Sequence, residues 1–213
     1  MTINEQKRFY SLLEAIGRED LYSERLSRRT YNEALKVLKM DAWKNPKYEH
    51  LLTSGIWAKN YEEICDILAM KEWDNPKYKH LLTSSVWKSS PEHIRAILSM
   101  KEFDNPKFKN LLAPTIWHSR FEKVYNIIHM EEWEDPKFKN LLSPCLWNHG
   151  YIEIKLLLSL DIWNDPKYQH LLKPSIWKYN QRDYASLITK RKQSKLLSNE
   201  CNNEDKPKQY IKL

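Results

Sequence analysis

A thirty-residue block occurs five times in tandem between residues 40 and 189, with no insertion or deletion between copies. The second copy reads MKEWDNPKYKHLLTSSVWKSSPEHIRAILS. A fixed period of this length is typical of solenoids, in which each unit is too small to bury its own apolar face and stacks on its neighbours. We number the copies repeats 1 to 5, which span residues 40–69, 70–99, 100–129, 130–159 and 160–189.

The first part of each repeat carries the start signal of a helix. In repeat 2, Asn75 stands directly before Pro76, and an Asn or Asp cap followed by proline is typical of the first residues of a helix. Tyr78, Leu81 and Leu82 follow at the spacing of a buried helical stripe. A short helix is therefore predicted to begin at the proline of every repeat. In repeats 3 to 5 it is predicted to end at a second proline, at residues 114, 144 and 174.

The last part of each repeat carries a second helix signal. Residues 90–92 read Ser-Pro-Glu, which places a serine cap before proline and an acid, and Ile94, Ile97 and Leu98 follow as an apolar stripe. Between the two helices there is room only for a tight turn, such as one turn of 3₁₀ helix. The predicted fold is all-α without β-strands: a right-handed-type α-solenoid of five helix-turn-helix repeats.

Both ends of the chain depart from the repeat. Residues 1–39 align with the block in part, with Leu21 under the Leu-Leu pair and Tyr31 under Tyr61, but Ser27 stands where tryptophan is expected. We predict that residues 1–39 are a degenerate N-terminal capping repeat, because a terminal unit needs a more polar outer face. Residues 190–213 carry +4 of the formal net charge of +7 and lack the apolar pattern. They are predicted to form a basic, partly disordered tail.

All nine tryptophans fall at two positions of the block. One position is tryptophan in every repeat, and the other is filled by phenylalanine only in repeat 3, at Phe103. An array of aromatic side chains is able to stack nucleic-acid bases. Their recurrence in register with the apolar stripe favours the other interpretation, a core between consecutive repeats.

A lysine follows the first proline of every repeat, at Lys47, Lys77, Lys107, Lys137 and Lys167. In the first turn of a helix the macrodipole disfavours a cation by about 0.3 kcal/mol or more. An interaction outside the helix must therefore favour lysine at this position. One interpretation is a ladder of phosphate contacts, to which Lys79, Lys109 and Lys139 add further charges. The other is contact with a tryptophan of the adjacent repeat, or pairing with a carboxylate such as Asp74 or Asp104, each worth less than about 1 kcal/mol.

The four residues after the invariant tryptophan are the least similar part of the block. They read AKNY, KSSP, HSRF, NHGY and KYNQ. The face of a solenoid that varies between copies commonly contacts a partner, but exposed loops also vary when nothing constrains them. On the first interpretation the partner-binding residues include Lys88, His118, Asn148 and Lys178.

The sequence offers no catalytic or metal-binding motif. Cys65, Cys145 and Cys201 are too scattered for a disulfide framework or a zinc site, and no Gly-rich phosphate loop, HExxH or nucleophile elbow is present. No apolar run has the length of a signal peptide core or a membrane span. We therefore expect a cytoplasmic, monomeric, non-enzymatic protein with no metal, cofactor, small-molecule substrate or membrane contact.

The layout resembles the repeats of mitochondrial transcription termination factors. The stretches that carry the resemblance are LLAPTIW, LLSPCLW, LLKPSIW and SSPEHIRAIL, and the similarity covers roughly residues 10–189. More loosely, the layout is similar to the two-helix repeats of TAL effectors, in which a variable loop between the helices meets a DNA base. Both resemblances imply a nucleic-acid partner. Because the five repeats together carry only +1, a protein-interaction scaffold is the alternative.

Overall fold

The computed structural model describes residues 1–178, and this part of the chain is all-helical with no β-strand. Residues 179–189 of repeat 5, the predicted tail 190–213 and the side chain of Lys178 lie outside the described part. The α-helices are α1 (Ile3–Ala15), α2 (Glu24–Ser27), α3 (Tyr31–Leu38), α4 (Tyr61–Leu68), α5 (Pro91–Leu98), α6 (Phe121–Ile128), α7 (Tyr151–Leu158) and α8 (Pro166–Gln169).

Repeats 1 to 4 each end in one eight-residue α-helix, α4 to α7, as predicted. In α4 the side chain of Asn60 accepts a hydrogen bond from Glu63 N at 2.8 Å, and the Glu63 carboxylate accepts one from Asn60 N at 3.0 Å. This reciprocal capping satisfies backbone donors that a helix start leaves unpaired. In α5, Ser90 is the cap and Pro91 the first helical residue, as the sequence predicts.

The rest of each repeat consists mainly of short 3₁₀ helices. In repeat 2 they are Lys71–Asp74, Lys79–Leu81 and Ser84–Lys88. The corresponding segments elsewhere are Asp41–Lys44, Glu49–Leu51 and Ser54–Ala58, then Lys101–Asp104, Lys109–Leu111 and Pro114–His118, then Glu131–Glu134, Pro136–Leu141 and Pro144–Asn148, and finally Asp161–Asn164 and Pro174–Lys178. A further 3₁₀ helix, Glu19–Leu21, precedes α2.

The helix predicted to begin at each proline is wrong for repeats 1 to 3, where a turn follows the proline and the 3₁₀ helix begins three residues later. In repeat 2 the Asn75 side chain accepts a hydrogen bond from Lys77 N at 2.9 Å, and Asp135 and Asp165 accept the same bond from Lys137 N and Lys167 N at 3.0 and 2.9 Å. This bond therefore closes a turn as readily as it caps a helix. A helix begins at the proline only in repeats 4 and 5, which have Asp before it. Pro114 and Pro144 begin 3₁₀ helices instead of ending one, since the first helical position needs no N–H.

The invariant tryptophans join consecutive repeats, which confirms the prediction of a core between them. Trp87 and Trp117 are 1% exposed. The indole N–H of Trp87 donates to Leu51 O at 2.8 Å, and that of Trp117 donates to Leu81 O at the same distance. The same bond, spanning 36 residues, occurs at Trp57, Trp147 and Trp177.

Residues 1–39 reproduce part of this pattern. Leu21 O accepts the indole N–H of Trp57 at 2.6 Å, just as Leu51 O does for the next tryptophan. Helix α1 lies over this end, and its Phe9 is completely buried. The Phe9 ring meets the Trp57 ring edge-on at 6.2 Å and 82°. Helix α1 thereby covers the first tryptophan, which has no full repeat before it.

Candidate functional site

Two grooves of the same construction lie between consecutive repeats. The groove between repeats 1 and 2 is lined by Pro46, Lys47, His50, Trp73, Asp74, Lys79, His80, Leu82 and Thr83. The groove between repeats 2 and 3 is lined by Pro76, Lys77, His80, Phe103, Asp104, Pro106, Lys109, Asn110 and Leu112. His80 lines both, so the two adjoin. We call this surface the groove face, and it brings together four of the predicted lysines.

The floor of the groove face is apolar and held in place. Trp73 and Phe103 are each 2% exposed. The indole N–H of Trp73 donates to Ile67 O at 2.6 Å, and equivalent bonds occur at Trp43 and Trp133. His80 Nε2 lies 2.8 Å from Leu112 O of the next repeat. Hydrogen bonds therefore fix both the floor and one wall of the groove.

The lysines after the proline are paired across repeats. Lys47 Nζ lies 2.5 Å from Asp74 Oδ1, Lys77 Nζ lies 2.5 Å from Asp104 Oδ1, and Lys107 Nζ lies 2.9 Å from Glu134 Oε1. In each pair the carboxylate belongs to the following repeat. Lys137 differs, because it pairs with Asp135 of its own repeat at 2.9 Å and bonds Asn164 at 3.1 Å. Positive and negative charges thus alternate along the groove face, and the paired lysines continue beyond it at Lys107 and Lys137.

These lysines are also partly enclosed. The Lys77 side chain is 26% exposed, whereas that of Asp104 is 74% exposed. Partial burial acts to lower the pKa of Lys77, but its interactions with Asp104 and Tyr78 outweigh burial and the pKa is raised. The ammonium group lies 5.1 Å from the centre of the Tyr78 ring. Lys77 is therefore held charged at the joint between two repeats.

The second set of predicted lysines is free. Lys79, Lys109 and Lys139 are exposed, and their side chains make no hydrogen bond or ion pair with any residue of the described part. Lys167 is exposed and lies 5.7 Å from the centre of the Tyr168 ring. The predicted lysine ladder thus divides into a paired row and an unpaired row.

Most of the variable stretch after the tryptophan has a part in the fold. Its second residue reaches the next repeat: Ser89 Oγ donates to Trp117 O at 2.8 Å, and Ser119 Oγ donates to Trp147 O at 3.2 Å. Its third residue is the cap of the following α-helix, and its fourth is the first helical residue. The first residue is exposed in all four of these repeats, at Ala58, Lys88, His118 and Asn148. The Ser90 cap was visible in the sequence, but the bonds to the next tryptophan were not.

Among residues 1–178, no group of three or more His, Cys, Asp or Glu side chains is placed to hold a metal ion. Within the same residues, no helix has the length and apolar character needed to cross a bilayer. No protein-family model, curated protein or solved structure matches this chain. The resemblance to transcription termination factor and TAL effector repeats therefore stays a prediction.

The Lys77–Asp104 pair is expected to contribute little to stability. In a double-mutant cycle of Lys77→Gln and Asp104→Asn, we expect a coupling energy of about 0.2–1 kcal/mol, because the carboxylate is exposed to water. Urea unfolding of the four proteins gives this value, and Lys79→Gln serves as the unpaired control. A coupling above about 2 kcal/mol would show that this pair behaves as a buried one.

Proposed function

We propose that this chain is a non-enzymatic protein-interaction scaffold, an α-solenoid closed at its N-terminal end by residues 1–39, whose groove face binds an extended peptide segment of a partner protein. The observation that carries the proposal is the pairing of Lys47, Lys77 and Lys107 with carboxylates of the following repeats. A nucleic-acid backbone carries one negative charge per nucleotide, so it is repelled by the exposed carboxylates between the lysines. A polypeptide of mixed charge suits such a face better.

The other groups of the groove face fit the backbone of a peptide. Asn110 is exposed and makes no hydrogen bond with any residue in the described part of the chain. Its amide is able both to donate to a peptide carbonyl and to accept from a peptide N–H. The buried rings of Trp73 and Phe103 form an apolar floor for a side chain of the ligand. Main-chain hydrogen bonds with alternating side-chain pockets are a common mode of peptide binding.

The repeat spacing predicts the spacing of the ligand. Packed helices lie about 8–10 Å apart, and an extended peptide rises about 3.3 Å per residue. One repeat therefore matches about three peptide residues. An acidic residue at about every third position would meet Lys79, Lys109 and Lys139 in turn, so we expect the ligand to be acidic with this period.

Nucleic acid is the second candidate, and the unpaired row of lysines favours it. If Lys79, Lys109 and Lys139 contact phosphates, the affinity for single-stranded nucleic acid falls with salt, by a slope of about 0.7 for each contact on a double-logarithmic plot. Removing the three lysines then flattens the slope by about two units. A peptide ligand with three acidic residues shows a weaker dependence, because it lacks a condensed counterion atmosphere.

The test is a selection from a displayed library of random peptides on the immobilised full chain, with fluorescent single-stranded DNA and RNA as parallel probes. We expect acidic peptides to be enriched. The triple variant Lys79→Gln/Lys109→Gln/Lys139→Gln is expected to bind them about tenfold or more weakly. The matched control, Lys71→Gln/Lys101→Gln/Lys155→Gln, removes three exposed lysines that do not line the grooves. Enrichment of no peptide, together with salt-dependent binding of the oligonucleotides, would contradict the scaffold and favour nucleic acid.

A further inference from the structure

A group of basic side chains lies away from the groove face, at the start of α6. Lys88 Nζ lies 2.9 Å from His118 Nε2, although the two residues belong to consecutive repeats. Lys123 Nζ donates to Trp147 O at 2.6 Å. Arg120 is the exposed cap residue of α6 and makes no ion pair with any residue in the described part. We call Lys88, His118, Arg120 and Lys123 the loop cluster.

The positive charges of the loop cluster lack close carboxylate partners. Burial lowers the pKa of His118, and the charges of Lys88 and Lys123 act in the same direction. Burial also lowers the pKa of Lys123, and Glu153 opposes this only in part. On the groove face, by contrast, Lys47 and Lys77 each have a carboxylate oxygen at 2.5 Å. The loop cluster thus holds the Lys88 and Lys123 cations beside an imidazole that favours its neutral form, with little carboxylate compensation.

Helix α6 lacks both of the capping bonds that α3 and α4 have, whereas α5 and α7 each keep one of them. Its cap, Arg120, makes no side-chain hydrogen bond. Helices α3, α4 and α7 have Glu33, Glu63 and Glu153 at the third helical position, each bonded back to the cap backbone. At the same position α6 has Lys123. Loss of a side-chain cap costs about 1 kcal/mol, and the helix dipole opposes a cation there.

Repeat 3 therefore departs from repeats 1 and 4, which have Glu63 and Glu153 where repeat 3 has Lys123. Departures of this kind are expected where a residue serves a function outside the fold. The departure is local, because the residues of repeat 1 that correspond to His118, Arg120 and Lys123 are Ala58, Asn60 and Glu63. A ligand of the loop cluster accordingly meets one spot and not every repeat.

We propose that the loop cluster binds an anionic side chain, phosphorylated or carboxylate, of the partner protein. The proposal rests on the proposed function and adds a second contact outside the groove face. Anionic oxygens accept charge-assisted hydrogen bonds from Lys88 and from the guanidinium fork of Arg120. The negative charge also offsets the positive charges of Lys88 and Lys123, which disfavour the imidazolium form of His118. A phosphoryl group carries more charge than a carboxylate and offers three acceptor oxygens, so it is the tighter ligand.

The binding test uses the full chain and three versions of one short fluorescent peptide, with phosphoserine, glutamate or serine at its centre. We expect the phosphoserine peptide to bind most tightly and the serine peptide most weakly. The variant Lys88→Gln/His118→Gln/Lys123→Gln is expected to lose about tenfold or more in affinity for the first. Lys71→Gln/Lys101→Gln/Lys155→Gln, which removes three exposed lysines elsewhere, is expected to retain it. Equal losses in both variants would show a response to net charge alone and overturn the site.

Two further readouts make the outcome specific. Binding of the phosphoserine peptide is expected to raise the pKa of His118, measured from its ring proton signals in NMR spectra, because a nearby anion favours the imidazolium. An unchanged His118 titration at saturating peptide would overturn the proposal. The proposal would also be overturned if a single-stranded oligonucleotide bound more tightly than the peptide and the loop-cluster variant no longer bound it, since the ligand would then be nucleic acid.

The groove variant Lys79→Gln/Lys109→Gln/Lys139→Gln separates this site from the proposed function. If the groove variant loses the selected acidic peptides while the loop-cluster variant binds all probes normally, the scaffold stands and the second contact is overturned. If only the loop-cluster variant loses phosphoserine binding, the anion site stands and the groove face is not the binding surface. Far-UV circular dichroism of each variant checks that the substitutions leave the helical fold intact.

Discussion

Replacing Trp117 with alanine is expected to lower the free energy of unfolding by about 3–5 kcal/mol, the range for removal of a large buried aromatic side chain. Trp117 is 1% exposed and meets the Trp73 ring edge-on at 6.2 Å. Its indole N–H donates to Leu81 O of the preceding repeat. Alanine removes the ring contact and the hydrogen bond together, and it leaves a cavity at the joint of two repeats.

The variant Trp117→Phe separates the two contributions. Phenylalanine keeps most of the apolar surface but has no N–H. Leu81 O retains its hydrogen bond from Thr83 N at 2.9 Å, so it is not left unpaired. We therefore expect a smaller loss, about 1–2 kcal/mol. A loss as large as that of alanine would show that the hydrogen bond, and not ring burial, carries the contribution of this side chain.

Urea unfolding followed by circular dichroism measures both variants, since the remaining tryptophans obscure a fluorescence signal. In an array of repeats, stability is approximately a sum of repeat and interface terms, so a broken interface is also expected to lower cooperativity. The slope of free energy against urea should therefore fall in Trp117→Ala, because the two sides of the joint unfold at different concentrations. A loss below about 1 kcal/mol with an unchanged slope would contradict the role assigned to the tryptophan.

The α-helices of the repeats were predictable because their signals are local. A cap residue, proline and an apolar stripe within ten residues suffice for α5, and the structure places Ser90, Pro91 and Ile94 accordingly. The tryptophans were predictable for a different reason. An apolar residue that recurs in every copy has only the interface between copies in which to be buried, so no knowledge of its contacts was needed.

The paired lysines show where this reasoning stops. Pairing with Asp74 or Asp104 was one of two interpretations of the sequence, because both carboxylates stand near a proline and its lysine. Lys47 and Asp74 are 27 residues apart, and their meeting depends on how one repeat sits on the next. Local helix rules do not describe how one repeat packs on the next. They gave a reason to expect a partner for the lysine but no means of choosing between a carboxylate and a phosphate.

The helix predicted after each proline was wrong in repeats 1 to 3 for a related reason. Asn75 before Pro76 is compatible both with a helix cap and with a turn closed by its own side chain. In either case the side chain accepts a hydrogen bond from Lys77 N, so the sequence does not distinguish the two. In the variable stretch after the tryptophan, the structural roles of the residues, apart from one helix cap, were not visible in the sequence. Different residues fill the same structural role there, as Ser89 and Ser119 bond the next tryptophan carbonyl where Arg29 bonds Trp57 O. Variation in sequence therefore did not mean freedom in structure.

Helix α1 was not predicted as the cover of the first tryptophan, and it supplies the second large expected effect. Phe9→Ala is expected to lower the free energy of unfolding by about 3–5 kcal/mol. Phe9 is fully buried and meets Trp57 at 6.2 Å and 82°. Trp73 meets Trp117 in the same geometry, also at 6.2 Å and 82°. Phe9 thus stands in for the aromatic residue that a preceding full repeat would supply.

Tyr10 on the same helix is the matched control. The residue is 38% exposed. Among the aromatic rings of the described part, its ring contacts only that of the exposed Tyr22, with the ring centres 5.2 Å apart. Tyr10→Ala is therefore expected to cost less than about 1 kcal/mol. Urea unfolding measures the loss, and hydrogen exchange of the Trp57 indole N–H reports whether the N-terminal end opens first. Because that N–H donates to Leu21 O beneath α1, its exchange should accelerate in Phe9→Ala and not in Tyr10→Ala. Equal exchange in the two variants would mean that Trp57 is protected without α1, and the predicted capping role of residues 1–39 would rest on Leu21 and α3 alone.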